Sequence, residues 1–430
     1  SVSLINSSFA DFTSLPSEIE VLSSYYNSND YGYVSSVKDQ KDGGNCWAFS
    51  GIATLETCLS KATGVSYDFS EENAKNLMAA YSVYGMKLET NYAGYESMIL
   101  SYLTSWIGPI DESNEDYDDY SSISVLQNPM FHIQNVKFLP ARADSSDNYM
   151  YKMAIRDNGA VSVTFKWGND YHSVSLVGWD DNYRGYDSLG NSSNGAWIFK
   201  NSWGEDWYDN GYFYMSYEKE FKNAYTFIFN EDRGYSDIYQ YDFSGVTGYR
   251  NLPSANTVYS KNKFISSSND ILTAVSTFFY DPTNYSVSVY LNGNLITTQE
   301  GYTQAGYYTF PLDKEIQLAK GDEFVVEFKC FGNNGYRLPV CMANVINKVT
   351  FSDETSFYST DGVHWTDLYE SSTPSVACIK AFTRSQKLNE ISIKLEDDMS
   401  FFMTQNLVAS GRHSCKIALA LLWCIGLICG

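Results

Sequence analysis

Residues 37–62 read VKDQKDGGNCWAFSGIATLETCLSKA, and from Cys46 onward the spacing is that of a helix. Phe49, Ile52, Ala53 and Leu55 fall on one apolar stripe, and Gly64 follows as a stop. Cys46 therefore opens the helix, where unsatisfied N–H groups and the helix dipole favour a thiolate. Cys58 lies on the same helix about 18 Å away at ~1.5 Å per residue, too far for a disulfide. Cys46 is left as a free thiol.

Working outward, the Ser70-Glu71-Glu72-Asn73 start predicts a second helix over 71–84, and a third spans 95–106 before Gly108-Pro109. After Asn158-Gly159 the pattern changes to strands at 161–163, 172–179, 196–200 and 211–217. Helices first and strands later make an α+β domain over residues 15–235. Beyond 236 helical periodicity disappears. Alternation in Val287, Val289 and Leu291, the Asn292-Gly293 turn, alternating Phe324, Val326 and Phe328, and the Asp361-Gly362 turn predict an antiparallel β-sandwich over 236–385. Residues 1–14 are expected to be a leader or pro-segment remnant, and 386–430 a tail. Its apolar run, 417–429, is shorter than the ~20 residues of a membrane span. A lipid-contacting tail, a cleaved sorting signal and non-native sequence compete there.

A chain of 430 residues is long enough for two domains, and 36 Tyr suit strands with half-buried faces. The net charge of −22 repels phosphate backbones and anionic membranes, which argues against a nucleic-acid partner. Acidity suits a secreted or cell-surface protein, as do the sequons at Asn6, Asn191 and Asn284. The eight cysteines cluster too unevenly for a disulfide framework.

A thiol nucleophile needs a base, and the chain has four histidines: His132, His172, His364 and His413. His172 opens HSVSLVGW, a strand able to fix its ring, whereas His132 and His364 read as packing or surface residues. Asn201, ending the strand of WIFKNSWG, supplies an amide to hold the second ring nitrogen, with Trp203 able to shield that bond. Gln40, six positions before Cys46, offers a side-chain donor to an oxyanion beside the Cys46 N–H. This chemistry needs no metal or organic cofactor.

The run from Val37 to Gln40, then Gly43 to Ser50, resembles the nucleophile segment of papain-like cysteine peptidases, and WIFKNSWGEDWYDNGYFYM resembles the family's asparagine segment. The resemblance covers roughly residues 15–235. It implies two subdomains, one helical and one β-barrel-like, with a cleft between the Cys46 helix and the half carrying His172. It also makes Gly94, in Asn91-Tyr92-Ala93-Gly94, a substrate-binding residue, with a plain turn glycine as the competing reading. The stretches WIGPIDE and Gly178-Trp179-Asp180-Asp181 look like bacterial or archaeal members. Residues 236–384 are similar to the lectin-like sandwich joined to some surface peptidases. Gly43 and Asn45 depart from the family pattern, and the chain between Val163 and His172 is short, so specificity does not carry over.

The expected function is a cysteine endopeptidase acting on extracellular or surface proteins through a thioester. The alternative is a weak or inactive peptidase scaffold in which the sandwich acts as an adhesin. Carbohydrate or a cell-wall ligand is the expected partner of the sandwich, and its many Asp and Asn residues leave calcium binding open.

Overall fold

The computed structural model describes residues 20–229, 234–332 and 335–385. The leader remnant, the C-terminal tail, His413 and the Asn6 sequon lie outside the described residues. Helix α1, Cys46–Thr63, is wholly buried from Trp47 to Ser60 and ends where Gly64 adopts a φ of 73°. That left-handed cap suits glycine and closes on the Ser60 carbonyl. Gly51 lets α3, Glu96–Thr104, approach, since a Cβ there would sit 2.5 Å from Ile99 Cγ1. Cys46 and Cys58 are both free thiols, as the helical spacing requires.

Helix α2 is capped by Ser70, whose Oγ accepts from the Asn73 N–H, but it spans only Glu71–Leu77 and not the expected 71–84. The chain turns instead because Ala80 N donates to the Leu88 carbonyl and Met86 N to that of Met78. Asn347 of the sandwich then donates to the carbonyls of Ala79 and Ser82 at 2.8 and 2.7 Å. A fourth helix, α4, Tyr149–Asn158, buries Tyr151, Ala154 and Ile155 and had no counterpart in the sequence reading.

The strands of the first half are β1 Tyr25–Asn27, β2 Asn135–Phe138, β3 Val161–Trp167, β4 Asp170–Tyr186, β5 Ser192–Lys200, β6 Tyr212–Ser216 and β7 Phe221–Phe227. They run in the order β6-β5-β4-β3-β7-β2, with β1 paired to β4. This is a papain-like α+β fold followed by a β-rich domain. The sheet does not stop at β2. Residues Asn135 to Lys137 pair with Tyr308 to Gly306, so strand Gly306–Leu318 of the sandwich continues it, followed by Asp270–Phe279, Ile379–Ser385 and Asp237–Tyr239. A six-stranded antiparallel sheet packs opposite, its hairpin turning at Asn292 and Gly293 with φ of 49° and 80°.

Candidate active site

Cys46 forms the first turn of α1 and is partly exposed, while every following residue to Ser60 is buried. Side chains on α1 hold it to the sheet: Ser50 Oγ lies 2.6 Å from Ser162 Oγ on β3, and Thr54 Oγ1 3.0 Å from Ser175 Oγ on β4. The same register brings β4 to the thiol. The backbone N–H and hydroxyl of Ser173, the residue after His172, lie near enough to the Cys46 sulfur to favour its thiolate, as do the N–H groups at the start of α1. Burial is the larger influence and pushes the thiol up.

His172 is buried on β4, and its Nε2 lies 2.7 Å from Asn201 Oδ1. An amide oxygen can only accept, so Nε2 carries the proton in the neutral ring and Nδ1 is left to take one. Burial holds the imidazole down to about 4, with the Asn201 bond opposing. Trp203 stacks on the ring with centroids 4.6 Å apart. Trp167 meets His172 edge-on at 6.2 Å, and Trp207 packs against Trp203 at 5.1 Å. These two half-buried tryptophans complete an aromatic enclosure that the sequence reading had not singled out. Trp207 lies in the quoted asparagine segment, but nothing in the local pattern of Trp167 marks it.

Gln40 is buried, donating from Nε2 to the Gly43 carbonyl at 2.8 Å and accepting at Oε1 from Ser202 Oγ at 2.7 Å. One Nε2 hydrogen remains for a ligand. Its backbone N–H also donates to the Ser202 carbonyl at 2.8 Å, and Asp39 bridges Trp203. Ser202, missed in the sequence, therefore ties the residue next to Asn201 to Gln40. Tyr117 was missed too: its hydroxyl donates to the Gln40 carbonyl at 2.9 Å and accepts from Asn45 Nδ2 at 3.0 Å.

Gly94 lies flat on the residue after Cys46, since a Cβ there would fall 2.3 Å from Trp47 Nε1. Close approach to the indole, rather than a left-handed turn, requires the glycine. Beneath the site, Lys38 Nζ is ringed by Asp68 at 2.8 Å, Glu71 at 2.9 Å, Glu112 at 3.5 Å and Glu56 at 3.8 Å. His132 stacks on Trp106 at 3.6 Å, and His364 pairs with Asp361 at a surface turn. Among the described residues no group of three or more His, Cys, Asp or Glu side chains is placed to hold a metal ion. The Asp361 carboxylate serves its own turn, accepting from the Val363 and His364 N–H groups at 2.8 Å.

Residues 22–171 and 135–228 match the family model "Papain family cysteine protease", and residues 238–383 match "Lectin like domain". Fruit bromelain of Ananas comosus is 26% identical over 207 residues, 44% of this chain and 53% of that protein. Cathepsin L2 of Homo sapiens is 25% identical over 208 residues, 44% of this chain and 59% of its own length. The chain thus spans little more than half the length of these relatives. Two solved structures of the clostridial cysteine protease Cwp84 share the fold over both halves. One, taken after propeptide cleavage, covers 85% of this chain and 100% of that one, with a TM-score of 0.71 and 24% identity. The other holds the cysteine protease and lectin-like domains of Cwp84, described as a surface layer associated protein of Clostridium difficile. It covers 87% of this chain and 90% of that one, with a TM-score of 0.71 and 22% identity.

Proposed function

Because the chain joins a papain-family cysteine protease domain to a lectin-like domain, we propose that it is an endopeptidase cleaving extracellular or surface proteins through Cys46, His172 and Asn201. The observation that carries this reading is the His172 Nε2 bond to Asn201, on a strand whose next residue, Ser173, favours the Cys46 thiolate. His172 Nδ1 takes the thiol proton as sulfur attacks the substrate carbonyl carbon. The oxyanion that forms is held by the Cys46 N–H and the spare Gln40 Nε2 hydrogen. Collapse breaks the C–N bond, and the amine leaves with the proton from His172, giving a thioester. Water loses a proton to the same nitrogen, attacks the thioester, and returns the thiol with release of the acid. Trp203 and the tryptophans behind it keep bulk water off the His172–Asn201 bond, and Gly94, packed on the Trp47 indole, presents its backbone to the substrate.

Iodoacetamide at pH 6 is expected to label Cys46 far faster than the buried Cys58, and peptide hydrolysis to vanish in Cys46→Ala. Labelling no faster than an ordinary thiol would refute the reading. The two-residue hairpin Gly168-Asn169 between β3 and β4 leaves little chain to wall the cleft, which favours the second reading, a surface-binding scaffold. That reading predicts glycan or wall binding unaffected by Cys46→Ala and no hydrolysis. We assign the protein a secreted or cell-surface location and the sandwich a carbohydrate ligand, on its lectin-like match. Calcium in the sandwich is tested by melting with and without EDTA, a fall in Tm supporting it.

A further inference from the structure

The two donors assigned to the oxyanion, the Gln40 side chain and the Cys46 N–H, stand at opposite ends of one loop, and a single phenol touches both ends. The Tyr117 hydroxyl donates to the Gln40 carbonyl at 2.9 Å and accepts from Nδ2 of Asn45, the residue before Cys46, at 3.0 Å. Asn45 is fully buried, and among the described residues its Oδ1 has no partner. Its Nδ2 otherwise reaches only Asn91 Oδ1, at 3.5 Å, so the phenol is the shorter hold on that amide. Gly43 makes the space, since a Cβ there would fall 2.6 Å from Tyr117 Oη. Gly43 and Asn45, the two departures from the family pattern in this segment, are thus the residues that admit and bind the phenol.

Tyr117 is itself held from α2 and its cap, through buried polar groups that the reaction does not use. Ser70, Glu72, Asn73 and Lys75 are each at most 2% exposed. On one side of Tyr117, Ser70 Oγ donates to the Glu115 carbonyl at 2.7 Å and Asn73 Nδ2 to the Glu115 carboxylate at 2.8 Å. On the other, the Asp118 N–H donates to Glu72 Oε2 at 3.0 Å, and Lys75, paired with Glu72 at 3.0 Å, donates to the Asp118 carbonyl. Phe49 of α1 meets the Tyr117 ring edge-on at 4.8 Å. Burial pushes the phenol above its ordinary 10, so it keeps the proton it donates.

We infer that Tyr117 is a positioning residue for the oxyanion hole: α2 fixes the phenol, and the phenol fixes both ends of the loop that carries the donors. The inference rests on the peptidase reading above. Tyr117 touches no reacting atom. Oxyanion donors act by being aimed before the reaction, and a misplacement of about 1 Å costs up to about 100-fold in rate. The thiolate, by contrast, depends on α1, His172 and Ser173, which loss of the hydroxyl leaves in place.

The test compares the full chain with its Tyr117→Phe variant, using a peptide cleaved from a library for kcat and KM and iodoacetamide at pH 6 for the thiol. The variant keeps the ring against Phe49 and loses only the hydroxyl. Its kcat should fall about 10- to 100-fold, short of the ~100- to 1,000-fold that removal of a whole donor brings, with KM and alkylation rate within about twofold. In the Gln40→Ala background the same change should have an effect on kcat at least about threefold smaller. Asn45→Ala, which leaves Tyr117 intact, should show the same split between kcat and alkylation, and it decides the matter if Tyr117→Phe does not melt cooperatively. A folded Tyr117→Phe protein with unchanged kcat overturns the inference, as does a loss of alkylation equal to the loss of kcat. In both cases wild-type hydrolysis and fast labelling of Cys46 leave the peptidase reading standing, whereas a wild type without hydrolysis sinks the two together.

Discussion

Replacing Ser202 by alanine should slow catalysis without touching any reacting atom. Ser202 Oγ donates to Gln40 Oε1 at 2.7 Å, with the two residues 7% and 6% exposed, so water cannot take its place. Leaving a buried acceptor unpaired costs about 1–3 kcal/mol. Gln40 Nε2 keeps its bond to the Gly43 carbonyl at 2.8 Å, so the amide loses part of its orientation and not all of it. Removal of a whole oxyanion donor costs about 2.7–4 kcal/mol, which sets the ceiling. A barrier rise of about 1–2 kcal/mol follows, or roughly 5- to 30-fold in kcat at ~1.4 kcal/mol per decade, with KM within about twofold. Steady-state kinetics on Ser202→Ala, Gln40→Ala and the double variant would measure it. Because Ser202 acts through Gln40, the serine change should add less than about twofold in the Gln40→Ala background. Full multiplication of the two losses, or an effect confined to KM, would refute the reasoning.

Lys38→Met strips the cation from Glu56 and Glu71, each with a side chain 1% exposed, and should destabilise the fold by about 3–5 kcal/mol in urea melts; a change under about 1 kcal/mol would remove the cluster from any structural role. Burial pushes Glu71 up to about 8 from its ordinary 4.5 despite Lys38 beside it. The stabilisation from that proton is complete below pH 4.5 and lost as pH rises through 8, so Glu71→Gln should flatten the fall in Tm between pH 5 and 8. His172 has the same sign of slope problem in reverse: burial lowers it from 6.5 to about 4, so stability is whole above 6.5 and lost as pH falls through 4. His172→Gln should therefore lose less Tm than the wild type between pH 7 and 4, and equal losses would contradict the burial.

The parts of the fold that were legible are those whose cause is local. The apolar stripe after Cys46 fixes α1, strand alternation fixes β3 to β6, and Asn292-Gly293 accepts positive φ at both turn positions. What the sequence hid has remote causes. Past Leu77 the chain turns back on itself through Met86 and Leu88, and the Ala79 and Ser82 carbonyls are taken by Asn347, some 270 residues away in sequence, which no window of local pattern contains. Strand β2 is four residues long and is defined by its partners on both sides, β7 and Gly306–Leu318, not by its own alternation. Within the site, His172 and Asn201 were readable because an imidazole and an amide at strand ends suggest one chemistry. Ser202, Tyr117 and Trp167 were not, because serine, tyrosine and tryptophan have many ordinary uses and only their distances to Gln40 and His172 distinguish them.

The continuity of the sheet makes the sandwich a structural part of the peptidase half, and this can be tested by separating them. One hydrophobic core holds Trp47, Ile52 and Ile99 together with Phe278, Tyr307, Val376 and Cys378. At the same boundary Lys380, fully buried and paired within the sandwich with Asp242 at 2.8 Å, donates across to Ser105 Oγ at 3.2 Å. Gly306 permits the close pairing with β2, since a Cβ there would lie 2.2 Å from the Val136 carbonyl oxygen. Cutting the chain after residue 229 exposes the β2 edge and the α3 face together. Each large apolar side chain left bare forfeits about 1.5–3 kcal/mol, so three or four of them consume most of the ~5–15 kcal/mol that holds a domain folded. Residues 20–229 alone should melt without a cooperative transition, and iodoacetamide should then label Cys46 and Cys58 at similar rates. A fragment that melts cooperatively within a few degrees of the full chain, with Cys58 still protected, would mean that the shared core carries little of the stability.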